Sequence, residues 1–156
     1  MNHYLDQVSE STLGERLGRV SRLWKTVADH ELAPLGLTHP RWTAIWKLKR
    51  MVGQVTQKQL AEALDIEVAS LMRTLGQLEE QGLVVRHACA QDKRARIVEL
   101  TEAGNILIES LQSHIIKARS KLLVGIDPED LRRFDAVVSQ ITENALAQLN
   151  PSGDDV

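Results

Sequence analysis

Four charged residues, Asp92, Lys93, Arg94 and Arg96, lie close together between two short segments that resemble strands. Lysine and arginine at a hairpin tip suit phosphate groups and the enhanced negative potential of a narrow A·T-rich minor groove. An aspartate two residues before Arg94 could hold its guanidinium extended through a charge-assisted hydrogen bond. The alternative is an exposed hairpin whose ion pair contributes almost nothing to stability. The excess of basic residues favours nucleic acid.

The segment 68–81 just before this hairpin has the pattern of an amphipathic helix. Three leucines recur at helical spacing on its predicted inner face: Leu71, Leu75 and Leu78. Ser70, Arg73 and Thr74 are then predicted to project outward. Arginine can form a bidentate pair with guanine, serine can donate to a phosphate or a base edge, and Val68 or Ala69 can contact a thymine methyl group. The alternative is a solvated polar face.

A second short helix is predicted immediately upstream, because Thr56 followed by Gln59 is a capping-box pattern. Residues 65–67 form the turn between the two helices. Two helices joined in this way are typical of a helix-turn-helix, whose second helix enters the major groove by its N-terminal residues. Thr56 and Gln57, at the start of the first helix, are further candidates for DNA contact.

The three tryptophans of the chain, Trp24, Trp42 and Trp46, are the second group of interest. Arg19 and His30 lie near them in sequence. Apolar walls with a few polar anchors are what a small aromatic acid requires. The alternative is that tryptophans at helical spacing belong to the core.

The residue types that an enzyme or a metal site needs do not form a pattern here. The five histidines have neither an i, i+4 pair nor zinc-type spacing: His3, His30, His39, His87 and His114. There is no glycine-rich phosphate loop and no nucleophile paired with a base. The single cysteine, Cys89, cannot form an internal disulfide. We therefore expect no enzymatic activity, no cofactor and no metal.

Composition is that of an ordinary globular protein, with 43% hydrophobic and 26% charged residues and a net charge of −2. The positive charge is local, since residues 83–96 contain four basic residues against Asp92 alone. No apolar stretch is long enough to span a membrane, and the N-terminus lacks a signal-peptide pattern. We expect a cytoplasmic protein that associates with the nucleoid.

The predicted fold is mainly α with a small β wing, a winged helix-turn-helix flanked by terminal helices. Helices are predicted over 11–33, after Thr38, after Thr56, over 68–81, after Thr101 and over about 129–149, with strands at 83–87 and 96–100. The terminal helices have no sheet to cover and either pack within the chain or pair between two chains; we favour pairing. The expected parts are a dimerisation helix at 1–37, the DNA-binding domain at 38–101, dimerisation helices at 102–149 and a disordered tail at 150–156.

The region from the second helix of the helix-turn-helix through the hairpin resembles the MarR family of winged-helix transcriptional regulators, and within it the SlyA-like branch. The matching residues are Ser70-Leu71-x-Arg73-Thr74-Leu75, Gly82-Leu83, Arg86, Cys89-Ala90-x-Asp92-x-Arg94 and Leu100-Thr101. Similarity extends over roughly 11–149. Ala69 stands where this branch often has proline, which leaves base preference at that edge open.

The resemblance implies a homodimer that binds a pseudo-palindromic operator in double-stranded DNA, as a repressor or as an activator that displaces a nucleoid silencing protein. It implies that Ser70 and Arg73 face the major groove, and that Arg94 enters the minor groove, steadied by Asp92. It also implies control of virulence or stress genes and weakening of DNA binding by aromatic carboxylates such as salicylate. The ligand candidates are Arg19, Trp24, His30, Thr38, Trp42 and Trp46.

Two alternatives stay open at this point. The chain could be a MarR-type sensor that a metal or an oxidant releases from DNA. It could also be a winged-helix module that binds another protein and does not contact DNA.

Overall fold

The computed structural model describes the backbone of residues 3–150 and the side chains of residues 12–150. The elements are α1 (His3–Leu32), a short 3-10 helix (Ala33–Leu35), α2 (His39–Arg50), β1 (Val55–Thr56), α3 (Gln57–Ala63), α4 (Val68–Glu80), β2 (Val84–Ala88), β3 (Arg96–Leu100), α5 (Glu102–Leu122) and α6 (Pro128–Leu149). The predicted helices and hairpin occur in the predicted order, while the 3-10 helix and β1 are additional and the first helix begins at His3, before the predicted start at residue 11. The fold is mostly helical with a three-stranded sheet, which confirms the predicted class. Except for Asn150, the predicted tail lies outside the described residues.

The sheet is antiparallel, with β3 between β1 and β2. Val84 pairs with Leu100 and Arg86 with Val98, and Val98 also pairs with Val55 of β1. The hairpin of β2 and β3 was predicted. The strand β1 was not, because two residues are too few to show an alternating pattern.

The helix-turn-helix has the local interactions that its sequence predicts. The Thr56 side chain accepts a hydrogen bond from the Gln59 amide at 3.2 Å, and the Gln59 side chain accepts one from the Thr56 amide at 3.0 Å. This capping box begins α3. In the turn that follows, Asp65 has a φ of 53°, a left-handed conformation that is uncommon for a residue with a side chain.

The hydrophobic core lies where α1, α2 and α5 meet the helix-turn-helix and the sheet. The largest fully buried side chains are Leu32, Ile45, Leu60, Leu71, Leu75, Leu78, Leu111, Val84 and Val98. The three leucines predicted on the inner face of α4 are all among them. Burial of the α4 stripe therefore fixes which face of that helix remains accessible to solvent.

The start of α5 lies against the turn that joins α4 to β2. The Thr101 amide donates to the Leu83 carbonyl at 3.1 Å, and the Thr101 hydroxyl donates to the Gly82 carbonyl at 2.6 Å. A Cβ on Gly104 would lie 2.2 Å from the Leu83 oxygen, so α5 can approach this closely only because residue 104 is glycine.

The chain divides into two compact units, one ending at Leu122 and the other beginning at Leu123. In the second unit the Asp127 side chain caps α6 by accepting from the Glu129 amide at 2.8 Å. None of the α6 residues is buried. The large apolar side chains exposed on this helix are Phe134, Val137, Val138, Ile141, Leu146 and Leu149.

Gly104→Ala should lower the free energy of unfolding by about 1–3 kcal/mol, since the new methyl group must displace backbone at Leu83. Urea unfolding at a fixed protein concentration measures the change. Gly76→Ala in α4 is the matched control, because nothing lies within 4 Å of the new Cβ and alanine favours a helix. Equal stability of the two variants would contradict the close approach.

Candidate nucleic-acid interface

The first turns of α4 present an accessible surface. Val68, Ala69, Ser70 and Arg73 are all exposed, and Val68 retains 39% of its accessible area. Within the described part of the chain, the Arg73 guanidinium makes no ion pair. The helix therefore offers a small apolar edge, a hydroxyl and an unpaired cation at its N-terminal end.

Thr74 does not belong to this surface, and its predicted outward orientation is wrong. Its side chain is 7% exposed, and its hydroxyl donates to the Ser70 carbonyl at 3.3 Å. Thr74 follows Leu71 by three residues and precedes Leu78 by four, so helical geometry places it within the buried stripe. The spacing of Thr74 relative to the leucines therefore indicates burial, although its polar side chain suggested exposure.

Gln57 also lies inside, which corrects its placement among the predicted contact residues. It is 8% exposed, and its side-chain oxygen accepts a hydrogen bond from Nη1 of Arg86 at 3.2 Å. The neighbouring Thr56 is half-buried, and its hydroxyl caps α3. The Gln57 side chain is therefore engaged within the fold.

The wing tip, residues 89–95, is closed by backbone hydrogen bonds. The Cys89 amide donates to the Ala95 carbonyl and the Ala95 amide to the Asp92 carbonyl, each at 3.1 Å. The Asp92 carboxylate accepts from the backbone amide of Arg94 at 3.0 Å. We predicted that Asp92 would hold the Arg94 guanidinium, but it holds the backbone of the turn instead. Short polar side chains commonly make this local bond.

The basic side chains of the hairpin remain exposed. Lys93 and Arg94 lie in the wing tip, and Arg96 begins β3. None of the three makes an ion pair with any side chain between residues 12 and 150. Asp92 therefore fixes the turn and leaves the charges beside it available to an external anion.

An interaction that the sequence did not predict links α4 to β2. Arg86 donates Nε to both carboxylate oxygens of Glu79, at 3.1 and 3.2 Å, and Nη2 to one of them at 3.1 Å. The hydrogen bond from Arg86 lowers the pKa of Glu79 below its usual range, although partial burial of the carboxyl group acts in the opposite direction. The positive charges of Arg86 and, to a smaller extent, Arg96 lower this pKa further. Glu79 and Arg86 are seven residues apart and lie on different elements, so no regular helix or strand spacing predicts that they pair.

The three tryptophans line one cavity of about 430 Å³. Trp42 is held by its Nε1, which donates to the Asp29 carboxylate at 2.8 Å, and the same oxygen lies 2.6 Å from Nδ1 of His39. Trp24, Trp42 and Trp46, which the sequence suggested as ligand candidates, thus lie around the same cavity. Their ligand role stays a prediction.

The polar residues around the cavity differ from the predicted anchors. Arg19, His30 and Thr38 do not line it, and the Thr38 hydroxyl accepts from Arg41 instead. The charged side chains that do line it are Lys47, Arg50, Asp65 and Arg119. They come from α2, from the turn before α4 and from α5. Only tertiary packing brings these segments together, so proximity in sequence could not identify the charged residues that line this cavity.

Two further features concern the described residues as a whole. Residues 12–150 contain no group of three or more histidine, cysteine, aspartate or glutamate side chains arranged to hold a metal ion. No helix between residues 3 and 150 is both long and apolar enough to cross a membrane.

The fold and the sequence both match known transcriptional regulators. A sequence model of the MarR family matches residues 35–95. The crystal structure of the transcriptional regulator PA3341 is 34% identical, with a TM-score of 0.76 over 89% of this chain and 98% of that chain. AbsC, a MarR family regulator from Streptomyces coelicolor, is 24% identical, with a TM-score of 0.80 over 89% and 95% of the two chains.

A mutant of E. coli MarR complexed with operator DNA is 20% identical, with a TM-score of 0.77 over 83% of this chain and 93% of that chain. This likeness concerns the fold. The architecture is that of the winged-helix transcriptional regulators. The chain belongs to the MarR family.

The contribution of Glu79 to stability should depend on pH. Because the folded-state pKa is lowered, the contribution is fully present above the unfolded-state pKa and is lost as the pH falls through the folded-state value. The stability deficit of Glu79→Gln relative to the wild type should therefore be largest near neutral pH and shrink in acid. Unfolding curves over this pH range test the prediction. Glu80→Gln, an exposed neighbour, is the control; an equal, pH-dependent deficit there would contradict it.

Proposed function

We propose that this protein is a sequence-specific regulator of transcription that binds double-stranded DNA as a homodimer. The observation that carries the proposal is the pair of accessible cationic surfaces on one scaffold. These are the start of α4, with Arg73, and the wing tip, with Lys93 and Arg94. The similarity in fold to a MarR protein solved with operator DNA supports it.

The start of α4 suits the major groove. A recognition helix reads base edges with its N-terminal residues, and an arginine can bind guanine O6 and N7 together. Arg73 makes no ion pair with the described side chains, residues 12–150, and Ser70, three residues earlier, lies on the same exposed face. Val68 and Ala69 supply an apolar edge for a thymine methyl group.

The wing tip suits the minor groove beside the contacted bases. Arginine side chains bind in narrow minor grooves because the negative potential is concentrated there. The hydrogen bond from the Arg94 amide to Asp92 fixes the turn without neutralising the guanidinium by direct contact. Lys93 and Arg96, both exposed, are assigned to phosphates.

Dimerisation is proposed from the apolar surface that remains on the terminal helices. In the first unit, α1 exposes Leu13, Val20 and Leu23 to about half of their full area, between 50% and 55%. In the second unit, α6 exposes Phe134 at 52% and Ile141 at 40%. Contiguous exposed apolar surface usually marks an interface. A second copy of the chain would supply two α4 helices for half-sites about 34 Å apart.

The tryptophan-lined cavity is proposed as the site of a small aromatic carboxylate. Three indole rings give the apolar walls, and Lys47, Arg50 and Arg119 give positive charge. None of these three cations makes an ion pair within residues 12–150. A cavity of about 430 Å³ is in the usual range for small ligands. Salicylate is the probe of choice.

The position of the cavity suggests how such a ligand would act on DNA binding. Ala63, Leu64 and Asp65 form one side of it, and α4 begins three residues later at Val68. A ligand shifts an equilibrium only by binding one arrangement better than another. We propose that the acid favours a placement of this turn, and hence of α4, that does not fit the operator.

The cellular setting is part of the same proposal. We place the protein in the SlyA-like branch, on the residues from Ser70 to Arg94, and in the cytoplasm at the nucleoid. Regulation of virulence or stress genes by repression, or by displacement of a silencing protein, accords with that branch. We assign no catalytic activity.

Arg94→Ala should weaken binding to a duplex selected from a random library by more than about tenfold, since the minor-groove contact is lost. A fluorescence anisotropy titration at fixed salt measures the change. Arg94→Lys, which keeps the charge but not the planar guanidinium, is the matched control and should lose less. Unchanged affinity in both variants would exclude the wing tip from binding. Failure of the wild type to bind any duplex at low salt would favour the protein-interaction alternative.

Arg50→Gln and Arg119→Gln should each weaken salicylate binding by roughly threefold to tenfold, because each removes a cation that lines the cavity. Quenching of tryptophan fluorescence during titration reports the affinity, paired with competition against bound DNA. Arg19→Gln is the control, since Arg19 does not line the cavity. A loss confined to the Arg19 variant would place the acid elsewhere, and binding that leaves DNA affinity unchanged would refute the regulatory role.

A further inference from the structure

The group formed by Arg86, Glu79 and Gln57 joins three elements of the helix-turn-helix and the hairpin. Arg86 lies in the middle of β2, Glu79 near the end of α4 and Gln57 at the start of α3. The Arg86 side chain is 18% exposed and the Glu79 side chain 32%. One guanidinium therefore makes hydrogen bonds to both helices from the strand that leads to the wing tip.

The geometry of these hydrogen bonds restrains orientation as well as distance. A planar guanidinium that engages both oxygens of a carboxylate is fixed in its plane as well as in its position. With the bond from Nη2, Arg86 makes three hydrogen bonds to Glu79, and a fourth runs from its Nη1 to the Gln57 oxygen at 3.2 Å. A strand held in this way cannot rotate relative to α4 without breaking several hydrogen bonds together.

On the other strand of the hairpin, β3 is held by its pairing with β1 and by the burial of Ile97 and Val98. On β2 beyond Arg86, His87 is half-buried and Ala88 is exposed, and the wing tip is largely exposed. Among residues 12–150, the side-chain hydrogen bonds between β2 and α4 are those of Arg86 and Glu79. The edge strand β2 has a sheet neighbour on one side only, so its orientation relative to α4 depends on packing and on these side-chain hydrogen bonds.

We propose that Arg86, Glu79 and Gln57 are positioning residues that set the direction of the wing relative to α4, so that both surfaces meet DNA at once. This inference rests on the proposed DNA-binding function and extends it to residues that do not contact DNA. Gln57, predicted as a contact residue, acts here through Arg86.

A merely structural role and a positioning role differ in one measurable respect. If the group only stabilises the fold, its loss lowers affinity whether or not the wing contacts DNA. If it positions the wing, its loss has no further effect once the wing contact has been removed. A double-mutant cycle with Arg94→Ala separates the two roles.

The experiment compares Glu79→Ala with Glu80→Ala in the wild type and in Arg94→Ala, using a duplex selected from a random library. Both substitutions remove one negative charge, so their effect on long-range attraction to phosphates is matched. We expect Glu79→Ala to bind about tenfold more weakly than Glu80→Ala in the wild type, and equally in the Arg94→Ala background. The proposal is overturned if Glu79→Ala and Glu80→Ala bind the duplex equally well in the wild-type background. It is also overturned if Glu79→Ala loses the same factor of affinity in the wild-type and Arg94→Ala backgrounds.

A second measurement does not depend on DNA. Hydrogen exchange of the free protein should be faster at the Cys89 and Ala95 amides in Glu79→Ala and Gln57→Leu than in Glu80→Ala, with α3 and α5 unchanged. If hydrogen exchange in the hairpin is unchanged in these variants, the positioning role is overturned, whether or not the wild type binds DNA. Failure of the wild type to bind any duplex would by itself refute only the DNA-binding function. If Glu79→Ala does not fold, Gln57→Leu takes its place in both measurements.

Discussion

The close contact between α5 and the turn after α4 is the constraint on which the rest of this structure depends. Thr101 donates its amide and hydroxyl to the carbonyls of Leu83 and Gly82, and its hydroxyl also accepts from the Gly104 amide at 3.1 Å. One threonine thus joins the exit of α4, the end of β3 and the first turn of α5. Glycine at 104 allows this contact because it leaves the space that the Leu83 oxygen occupies.

The helix α4 is restrained at both ends by groups of different chemistry. At its start, the turn containing Asp65 forms part of the wall of the tryptophan-lined cavity. At its end, Glu79 is held by Arg86 from the strand of the hairpin. The buried leucines between the two ends anchor the helix in the core. On the proposed function, only a few residues of backbone separate a ligand in the cavity from the exposed face of α4.

Local patterns in the sequence predicted the six long or short helices and the hairpin, because burial periodicity and capping are local properties. Apart from the two-residue strand β1, most of the errors concern side chains whose environment depends on tertiary packing. Gln57 lies inside because Arg86, on a later strand, donates a hydrogen bond to its side chain. Arg19 was expected to line the cavity, but Arg50 lines it instead because α2 and α5 both contribute to its wall. Thr74 is different: its position within the leucine stripe was readable, but its polarity was given more weight than its spacing.

The hairpin has a held base and an exposed tip. Its base is held by Arg86 on one strand and by Thr101 just beyond the other, whereas residues 89–95 are bonded mainly to one another. Exposed loops bounded by fixed strands tolerate changes in length and sequence. Descendants of this chain can therefore alter the reach and charge of the tip while the base keeps its direction. On the proposed function, the preference for flanking DNA could therefore change without loss of the fold.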